Sequence, residues 1–318
     1  MKKKKTQEEL APIIIFVYNR PWHTQKTIEA LQKNFLAKQS LLFIFSDGPK
    51  SIPDKKHVNE VRDYIEKING FKRVIVIKRF KNLGLANSVI KGVRQIINKY
   101  GKVIVLEDDC ISSSSLIMYM NKTLAFYEKE GKIFSITAYN HPSSLMIVPN
   151  DYKFDTYFSF RAGSQCWGTW RDRWMKVDWD VKDYDRFIRN KRQQKCFNCG
   201  GDDRTSMLVA QMNKKIDSWA IRWDYAHFKN NAFCVYPVVS FIDNIGHDGT
   251  GVHSKLDLFN KYKNKILNTQ KSYNYPKDVV INKNLITNFQ KVYRKTFLKH
   301  IKRIMIKLIF YEKWKKKI

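Results

Sequence analysis

The sequence predicts an α/β fold in which a mostly parallel sheet carries helices on both faces. Between Pro12 and Leu106, short apolar runs rich in β-branched residues alternate with amphipathic stretches of about 12 to 16 residues. Strands buried on both faces of a parallel sheet have continuous apolar sequences, and parallel neighbours need a helical connection. The 318 residues, of which 43% are hydrophobic, are enough for the core of one large domain, and global disorder is excluded.

The first third of the chain accounts for four strands and the three helices that connect them. The predicted strands are Ile13–Tyr18, Leu41–Ser46, Val74–Arg79 and Val103–Leu106. The predicted helices, with apolar residues at helical spacing, are Thr24–Leu36, Lys55–Ile68 and Leu85–Tyr100. Ligands of such a sheet bind at the carboxyl ends of its strands, so the residues that follow each strand are the first candidates for a site.

After Cys110 the pattern is less regular. The predicted elements are a helix over Leu116–Lys129, a strand over Ile133–Ala138, an edge or mixed-sheet strand over Phe154–Arg161, a helix over Asp203–Lys214 and extended chain over Ala232–Ile242. The chain is rich in tryptophan between Gly163 and Val181. From about Lys255 it is rich in Lys and Asn, and a long basic helix is predicted over roughly Asn284–Lys316.

The charge is strongly unbalanced, with 59 Lys and Arg against 29 Asp and Glu, a net charge of +30. Such an excess favours a polyanionic partner, either nucleic acid, acidic lipid or a phosphorylated substrate. Because no zinc finger, helix-turn-helix or basic-aromatic RNA motif is present, we expect no nucleic-acid partner. No apolar run approaches the length of a membrane span, and none follows Lys2–Lys5 as in a signal peptide. A cytoplasmic protein, soluble or peripheral on a membrane, is therefore expected.

The cysteines predict a reducing compartment. Their number, five, is odd, and no export signal accompanies them. Cys196 and Cys199 form a CxxC pair, but no second Cys or His pair follows at ligand spacing, so no zinc site is expected.

Three consecutive acids, Glu107, Asp108 and Asp109, directly follow the fourth predicted strand. Packed carboxylates repel one another unless a cation holds them. Their oxygens suit Mg²⁺ or Mn²⁺, which bind one or two carboxylates together with waters and substrate phosphates. The alternative is a solvated acidic turn, but the basic composition and the preceding buried strand favour a metal and phosphate site.

This acid triplet resembles the EDD or DXD motif of the GT-A glycosyltransferases. More narrowly, the chain is similar to the N-acetylglucosaminyltransferase I type and to related bacterial family 2-like sugar transferases. The matching segments, in the order of the family, are Ile13–Pro21, Phe45–Gly48, Lys81–Asn87, Phe134–Asn140, Cys166–Trp170 and Cys234–Gly246. The resemblance implies a Rossmann-like GT-A catalytic domain over residues 1–254, with a nucleotide-sugar half at about 11–110 and an acceptor half at about 111–254. Residues 255–318 would form a basic C-terminal helical tail.

The resemblance also implies roles for individual residues. Asp109 would ligate the metal, with Asp108 and Glu107 beside the sugar or ribose, while Arg20 and Asp47 would contact the nucleotide. The other donor-binding candidates are Tyr18, Asn82 and Lys91.

An inverting transfer needs a general base that accepts the proton of the acceptor hydroxyl. Asp217 matches the acid–tryptophan segment that supplies the base of the family, and Trp219 with other apolar neighbours would favour a base that works near neutrality. Asp202 and Asp203 are competing candidates, because related transferases place their base just after a glycine pair such as 200–201. The choice among the three stays open.

Three further residues are candidates by resemblance or by residue type. Trp167 and Trp170 could stack on an acceptor sugar, although tryptophans in such a cluster also form cores. His253, in a glycine-rich turn after the last predicted strand, would complete the metal and diphosphate site, or would be an incidental loop residue.

The end of the chain predicts attachment to an anionic membrane surface. Apolar residues form a stripe along residues 297–311, and Lys and Arg occupy most of the other positions. This composition is typical of an interfacial helix on anionic lipid, and a helix packed on the domain is the alternative.

Together the resemblance and the residues predict a metal-dependent, inverting glycosyltransferase of hexosyltransferase type. It would use a nucleotide-sugar, with a UDP-sugar favoured, and a glycan or lipid-linked acceptor in bacterial surface-polysaccharide synthesis at the inner face of the plasma membrane. One alternative is a sugar-nucleotide pyrophosphorylase, whose glycine-rich phosphate loop is missing from Tyr18–Trp22. The other is a non-catalytic basic protein with a degenerate fold that binds membrane or nucleic acid.

Overall fold

The computed structural model describes residues 9–250 and 261–294, and an eight-stranded sheet dominates them. The strands of the chain are β1 (Ile13–Val17), β2 (Leu41–Ser46), β3 (Arg73–Lys78), β4 (Lys102–Glu107), β5 (Cys110–Ser112), β6 (Ile133–Thr137), β7 (Thr156–Ser159), β8 (Cys166–Trp170), β9 (Phe233–Pro237) and β10 (Ile242–Asn244). The order across the large sheet is β3-β2-β1-β4-β8-β6-β9-β7, and β5 pairs with β10 in a separate antiparallel ribbon.

The first four strands are all parallel, in the order β3-β2-β1-β4. Strand β8 lies antiparallel between β4 and β6, so β6 again points in the same direction as β4. Strand β9 is parallel to β6, and β7 is an antiparallel edge strand. The carboxyl ends of β1, β2, β4 and β6 therefore meet at one edge of the sheet.

Helices cover both faces of this sheet. They are α1 (Pro21–Gln32), α2 (Asp54–Ile65), α3 (Leu85–Tyr100), α4 (Leu116–Phe126), α5 (Arg171–Trp174), α6 (Tyr184–Arg189), α7 (Lys191–Phe197), α8 (Arg204–Met212), α9 (Trp219–Lys229) and α10 (Lys283–Tyr293). Residues of β1 alternate between two cores. Ile13 and Ile15 pack with residues of α1 and α4, whereas Ile14 and Phe16 pack with residues of α3 and α9. The predicted α/β fold with helices on both faces is confirmed.

The second half of the chain contains elements that the periodicity did not predict. The tryptophan-rich stretch contains strand β8, and α9 follows Ser218, whose hydroxyl caps it by accepting from Ile221 N at 3.3 Å. The extended segment predicted over Ala232–Ile242 is divided into β9 and β10.

The predicted long basic helix is interrupted after its first eleven residues. Helix α10 ends at Tyr293, and Arg294 is extended, with φ −64° and ψ 130°. The buried face of α10, formed by Leu285, Ile286 and Phe289, packs against strands β7 and β9. Residues 295–318 lie outside the described residues, and so does the predicted domain boundary at 254. The basic helical tail and this boundary therefore stay predictions. Within the described ranges, no helix has the length and apolar character needed to cross a bilayer.

Candidate active site

The acid triplet lies at the carboxyl edge of the sheet, as the sequence predicts. Strand β4 ends at Glu107, and Asp108 and Asp109 are 5% and 6% exposed. The next strand in space, β1, ends at Val17 and leads through Arg20 into α1, which begins at Pro21. Proline suits the first helical position because no intrahelical partner exists there for an N–H, so the turn that carries Arg20 is short. This turn places Arg20 against the acids.

Arg20 bridges Asp108 and Asp109. Its Nε donates to Asp108 Oδ2 at 3.3 Å, and its Nη2 donates to Asp109 Oδ2 at 3.0 Å and also to Asp108 Oδ1. The remaining nitrogen, Nη1, is buried and has no hydrogen-bond partner among the described residues. One guanidinium therefore holds two acids, and the N–H groups on its Nη1 remain for a further acceptor.

Burial controls the charge of these groups. Burial, together with the neighbouring Asp109 and Asp108, raises the pKa of Glu107 well above its usual value. Burial also raises the pKa of Asp108, although Arg20 opposes this effect. For Arg20 itself burial disfavours the charged form, but the attraction of Asp108 and Asp109 is larger in sum and raises its pKa. Ionisable groups whose pKa values are shifted in this way are typical of functional sites.

Asp109 is held by a segment from the far end of the domain. The β5–β10 ribbon pairs Cys110 with Asn244 and so brings residues 244–246 back to the acids. Asn244 Nδ2 donates to Asp109 Oδ1 at 3.2 Å, and Ile245 N donates to the Asp109 carbonyl at 2.9 Å. A Cβ at Gly246 would lie 2.8 Å from Asp109 Cγ, so only glycine fits there. Asn244 and Gly246 are not among the predicted site residues, although a glycine after a strand in a matching segment is a usable signal.

Asp47 binds the backbone of the loop at Leu83–Gly84. It is 6% exposed, and both of its carboxylate oxygens accept from Leu83 N at 3.0 Å. Its Oδ2 also accepts from Gly84 N and from Ser88 Oγ, each at 3.1 Å. The structure thus places Asp47 beneath the loop, as a residue that positions it, and its contact with the nucleotide stays a prediction.

The other donor-binding candidates lie on the same loops. Asn82 Nδ2 donates to the Gly48 carbonyl at 2.8 Å, and Tyr18 Oη accepts from Lys50 N at 2.9 Å. These bonds tie together the loops that follow β1, β2 and β3. Lys91 is exposed on α3.

Asp217 lies beside the loop at Leu83–Gly84. Its side chain is 61% exposed, and its Oδ2 is 3.7 Å from the position that a Cβ of Gly84 would take. The expected apolar cover is missing, because Trp219 is only 2% exposed and stacks with Trp167 at 5.1 Å in the core. Asp217 is therefore an accessible carboxylate next to the candidate donor loop.

The two competing acids lie elsewhere in the second half of the chain. Both oxygens of Asp203 accept from Arg161, at 2.8 and 3.0 Å, and Asp202 is exposed. A carboxylate held by two guanidinium N–H groups is a poor proton acceptor, because protonation would break a strong pair. Asp217 has a single, longer contact of this kind, from Arg222 Nη2 at 3.5 Å, so it is the less tightly paired of the two acids.

The acceptor role predicted for Trp167 and Trp170 is wrong. Trp167 has no exposed surface and Trp170 is 2% exposed. Trp167 packs against Trp174, Trp219 and Trp223. A ring with no exposed face cannot stack on a sugar, so the tryptophans of this stretch form core. His253 lies outside the described residues.

The acid triplet fits Mg²⁺ or Mn²⁺ and not a metal ion that is enclosed by protein ligands alone. Among the described residues, no group of three or more His, Cys, Asp or Glu side chains could enclose a metal ion. Mg²⁺ and Mn²⁺ sites often need only one or two carboxylates, with phosphates and waters as the other ligands. Asp109 and Asp108 fit that donor set. A cation bound to Asp109 Oδ2 would compete there with Arg20 Nη2.

No protein-family model and no curated protein matches the chain. Solved structures give distant similarities. The galactosyltransferase LgtC, in complex with donor and acceptor sugar analogues, is 10% identical over 71% of this chain and 72% of that chain, with a TM-score of 0.37. A mannosyltransferase from Pyrobaculum calidifontis, in complex with GDP-Man and Mn²⁺, is 10% identical over 51% and 44% of the two chains, with a TM-score of 0.34. A UDP-glucose pyrophosphorylase complexed with UDP-glucose is 12% identical over 52% and 79%, with a TM-score of 0.31. The chain spans less than half the length of the mannosyltransferase.

Proposed function

We propose that this protein is a GT-A-type glycosyltransferase of hexosyltransferase type. It would move a sugar from a nucleotide-sugar, with a UDP-sugar favoured, to a glycan or lipid-linked acceptor. The observation that carries this proposal is the bridge from Arg20, at the end of β1, to Asp108 and Asp109, at the end of β4. In open α/β sheets this edge binds the ligand. The unpartnered N–H groups on Nη1 of Arg20 support a role in binding an anionic oxygen of the donor.

Metal dependence is part of the proposal. Asp109, with Asp108 beside it, would hold Mn²⁺ or Mg²⁺, and the bound cation would add positive charge for the leaving diphosphate. Arg20 would add a fixed positive charge at the same place. Asp47 would keep the loop at Leu83–Gly84 in the conformation that faces the donor.

Asp217 is the proposed general base. It would accept the proton of the acceptor hydroxyl, and the hydroxyl oxygen would then form a bond to the anomeric carbon of the donor sugar. The bond between that carbon and the diphosphate breaks on the opposite face, which inverts the configuration. The developing charge on the diphosphate is stabilised by Arg20. Exposure of Asp217 next to Gly84 supports this role.

The cellular setting is inferred from the resemblance and the composition. We infer a role in bacterial surface-polysaccharide synthesis, with the enzyme peripheral on the inner face of the plasma membrane through its basic C-terminal segment. The net charge of +30 supports attraction to anionic lipid.

The proposed activity is tested by measuring the turnover of a panel of nucleotide-sugar donors. UDP-, GDP- and dTDP-sugars are incubated with the full-length protein and Mn²⁺ or Mg²⁺, and release of the nucleoside diphosphate is measured. We expect release from at least one donor, loss of release in Asp109→Ala, and retention in Asp151→Ala, which removes an exposed acid far along the chain. Formation of a nucleoside triphosphate when pyrophosphate is added would instead identify a pyrophosphorylase. No turnover of any donor would favour the non-catalytic alternative.

A further inference from the structure

A cleft of about 350 Å³ lies directly beside Asp217. Five consecutive or nearby residues line it, namely Gln211, Lys214, Lys215, Ile216 and Asp217. Four of these five side chains are polar, and two carry a positive charge. The cleft therefore offers a small, basic space next to the proposed base.

The backbone of Lys214 is strained. Helix α8 ends with Lys215 N donating to the Ala210 carbonyl at 2.9 Å and Lys214 N donating to the Gln211 carbonyl at 3.0 Å. This is the Schellman arrangement, in which the residue at the position of Lys214 is left-handed and is usually glycine. Lys214 has φ +56°, which costs a residue with a Cβ about 1 kcal/mol or more. Strain of this kind that persists is a reason to look for a function of the side chain.

The same turn fixes the position of the base. Gln211, in the last turn of α8, accepts from Ser218 N at 2.6 Å through its Oε1. Ser218 in turn caps α9, so the segment between Lys214 and Ser218 is held at both ends. Arg222 Nη2 adds a third positive charge, 3.5 Å from Asp217 Oδ1. The single carboxylate of the cleft thus contacts one cation, Arg222, and shares the lining of the cleft with two lysines.

From this arrangement we infer that the acceptor is phosphorylated, and that Lys214 and Lys215 bind its phosphate while Asp217 faces the reacting hydroxyl. The inference rests on the proposed function. Two ammonium groups match the charge of about −1.5 to −2 on a phosphate monoester at neutral pH. Both lysines are exposed and are therefore accessible to such a phosphate.

A stability measurement tests the strain. Lys214→Gly removes the side chain and relieves the left-handed conformation, so Tm should rise by about 2 °C. Phosphate binding should weaken in the same variant. A fall in Tm would show that the lysine is there for the fold, and would overturn the argument from strain.

A binding measurement that needs no acceptor tests the site. Inorganic phosphate is the probe, and its affinity is read from the increase of Tm with phosphate concentration. Arg20→Ala serves as the background, because it weakens phosphate binding at the donor site. We expect Lys214→Gln/Lys215→Gln to weaken the remaining affinity about tenfold. The control Lys55→Gln/Lys56→Gln removes the same charge from an exposed pair on α2 and should change nothing. Equal phosphate responses in the two double variants would overturn the inference.

Acceptor preference separates this inference from the function on which it rests. Sugars are supplied in pairs, with and without a phosphate, together with the donor found in the panel. The wild-type protein should prefer the phosphorylated member at least tenfold in kcat/KM, and Lys214→Gln/Lys215→Gln should lose that preference. Donor turnover with equal use of both members would overturn the inference and leave the glycosyltransferase standing. Absence of donor turnover would reject the proposed function, and the phosphate titration would then still decide whether the lysines form an anion site.

Discussion

Gly246 lies against the carboxylate of Asp109, although 137 positions separate the two residues in the sequence. A Cβ added at Gly246 would overlap Asp109 Oδ2 and would also approach Arg20 Nη1 to 3.2 Å. Asp109 and Arg20 can therefore keep their positions only if residue 246 is glycine, which has no Cβ.

This contact predicts the effect of Gly246→Ala. The methyl group should displace the Asp109 carboxylate from Arg20, so donor turnover should fall by about 100-fold while the fold is retained. Circular dichroism and turnover of the active donor check this outcome. Gly131→Ala is the matched control, because no atom lies within 4 Å of the position of its Cβ. Normal turnover in Gly246→Ala would show that the position of Asp109 is not critical.

The exposed carboxylate of Asp217 predicts a separation of chemistry from donor binding. Asp217→Asn keeps the shape but removes the proton acceptor, so kcat should fall about 100-fold or more with donor affinity nearly unchanged. Steady-state kinetics and a donor titration measure the two quantities.

Asp203→Asn is the comparison for this prediction. It leaves Arg161 with a weakened partner, so we expect the free energy of unfolding to fall by about 1–3 kcal/mol. The base would have to be reassigned if Asp203→Asn, and not Asp217→Asn, lowered kcat alone.

The neutral state of His227 predicts a loss of stability in acid. His227 Nδ1 donates to the Trp223 carbonyl at 2.9 Å, its Nε2 lies 2.7 Å from Ser135 Oγ, and burial lowers its pKa from 6.5 to about 4. The unfolded chain then binds a proton below pH 6.5 that the folded chain does not bind until about pH 4. Stability from this group is complete above pH 6.5 and should fall by up to about 1.4 kcal/mol per pH unit as the pH drops toward 4.

Denaturant unfolding between pH 7 and pH 4 checks this slope. The slope should become shallower in His227→Gln, and it should be retained in His57→Gln, since His57 is exposed on α2. Identical slopes in wild type and His227→Gln would contradict the prediction.

The basic segment beyond the described residues predicts binding to anionic vesicles. Truncation before Thr296 should weaken co-sedimentation with anionic vesicles and leave donor turnover intact, and added salt should weaken binding of the full-length protein through screening. Equal pelleting of the truncated and full-length proteins would mean that this segment does not provide attachment.

The fold of the first third of the chain could be predicted because its signals are local. Strands such as β2, which the sequence predicts with its observed bounds, are continuous apolar runs, and a helix follows each of β1, β2 and β3. Strand β8 was missed because its tryptophans are bulky and aromatic without an alternating pattern. Its strand conformation depends on pairing with β4 and β6, which lie far away in the sequence.

Part of the candidate site could likewise be predicted from the sequence. The acids and Arg20 were identified because they follow strands that share an edge. The partners of these residues were not, because Asn244 reaches Asp109 only through the β5–β10 ribbon. For Asp47, the sequence could not show that loop amides occupy both oxygens of its carboxylate, because Leu83 and Gly84 lie 36 and 37 positions away.

The position of β8 has a practical consequence for engineering. Residues 11–110 resemble a separable donor-binding half, yet β4 has β8 as its neighbour in the native sheet. A fragment that ends near residue 110 would present the whole edge of β4 to other chains, and unpaired edges of this kind promote aggregation. Under the proposed function, chimeras meant to exchange donor specificity should therefore graft individual loops, such as the one at Leu83–Gly84, and keep the whole sheet from one parent.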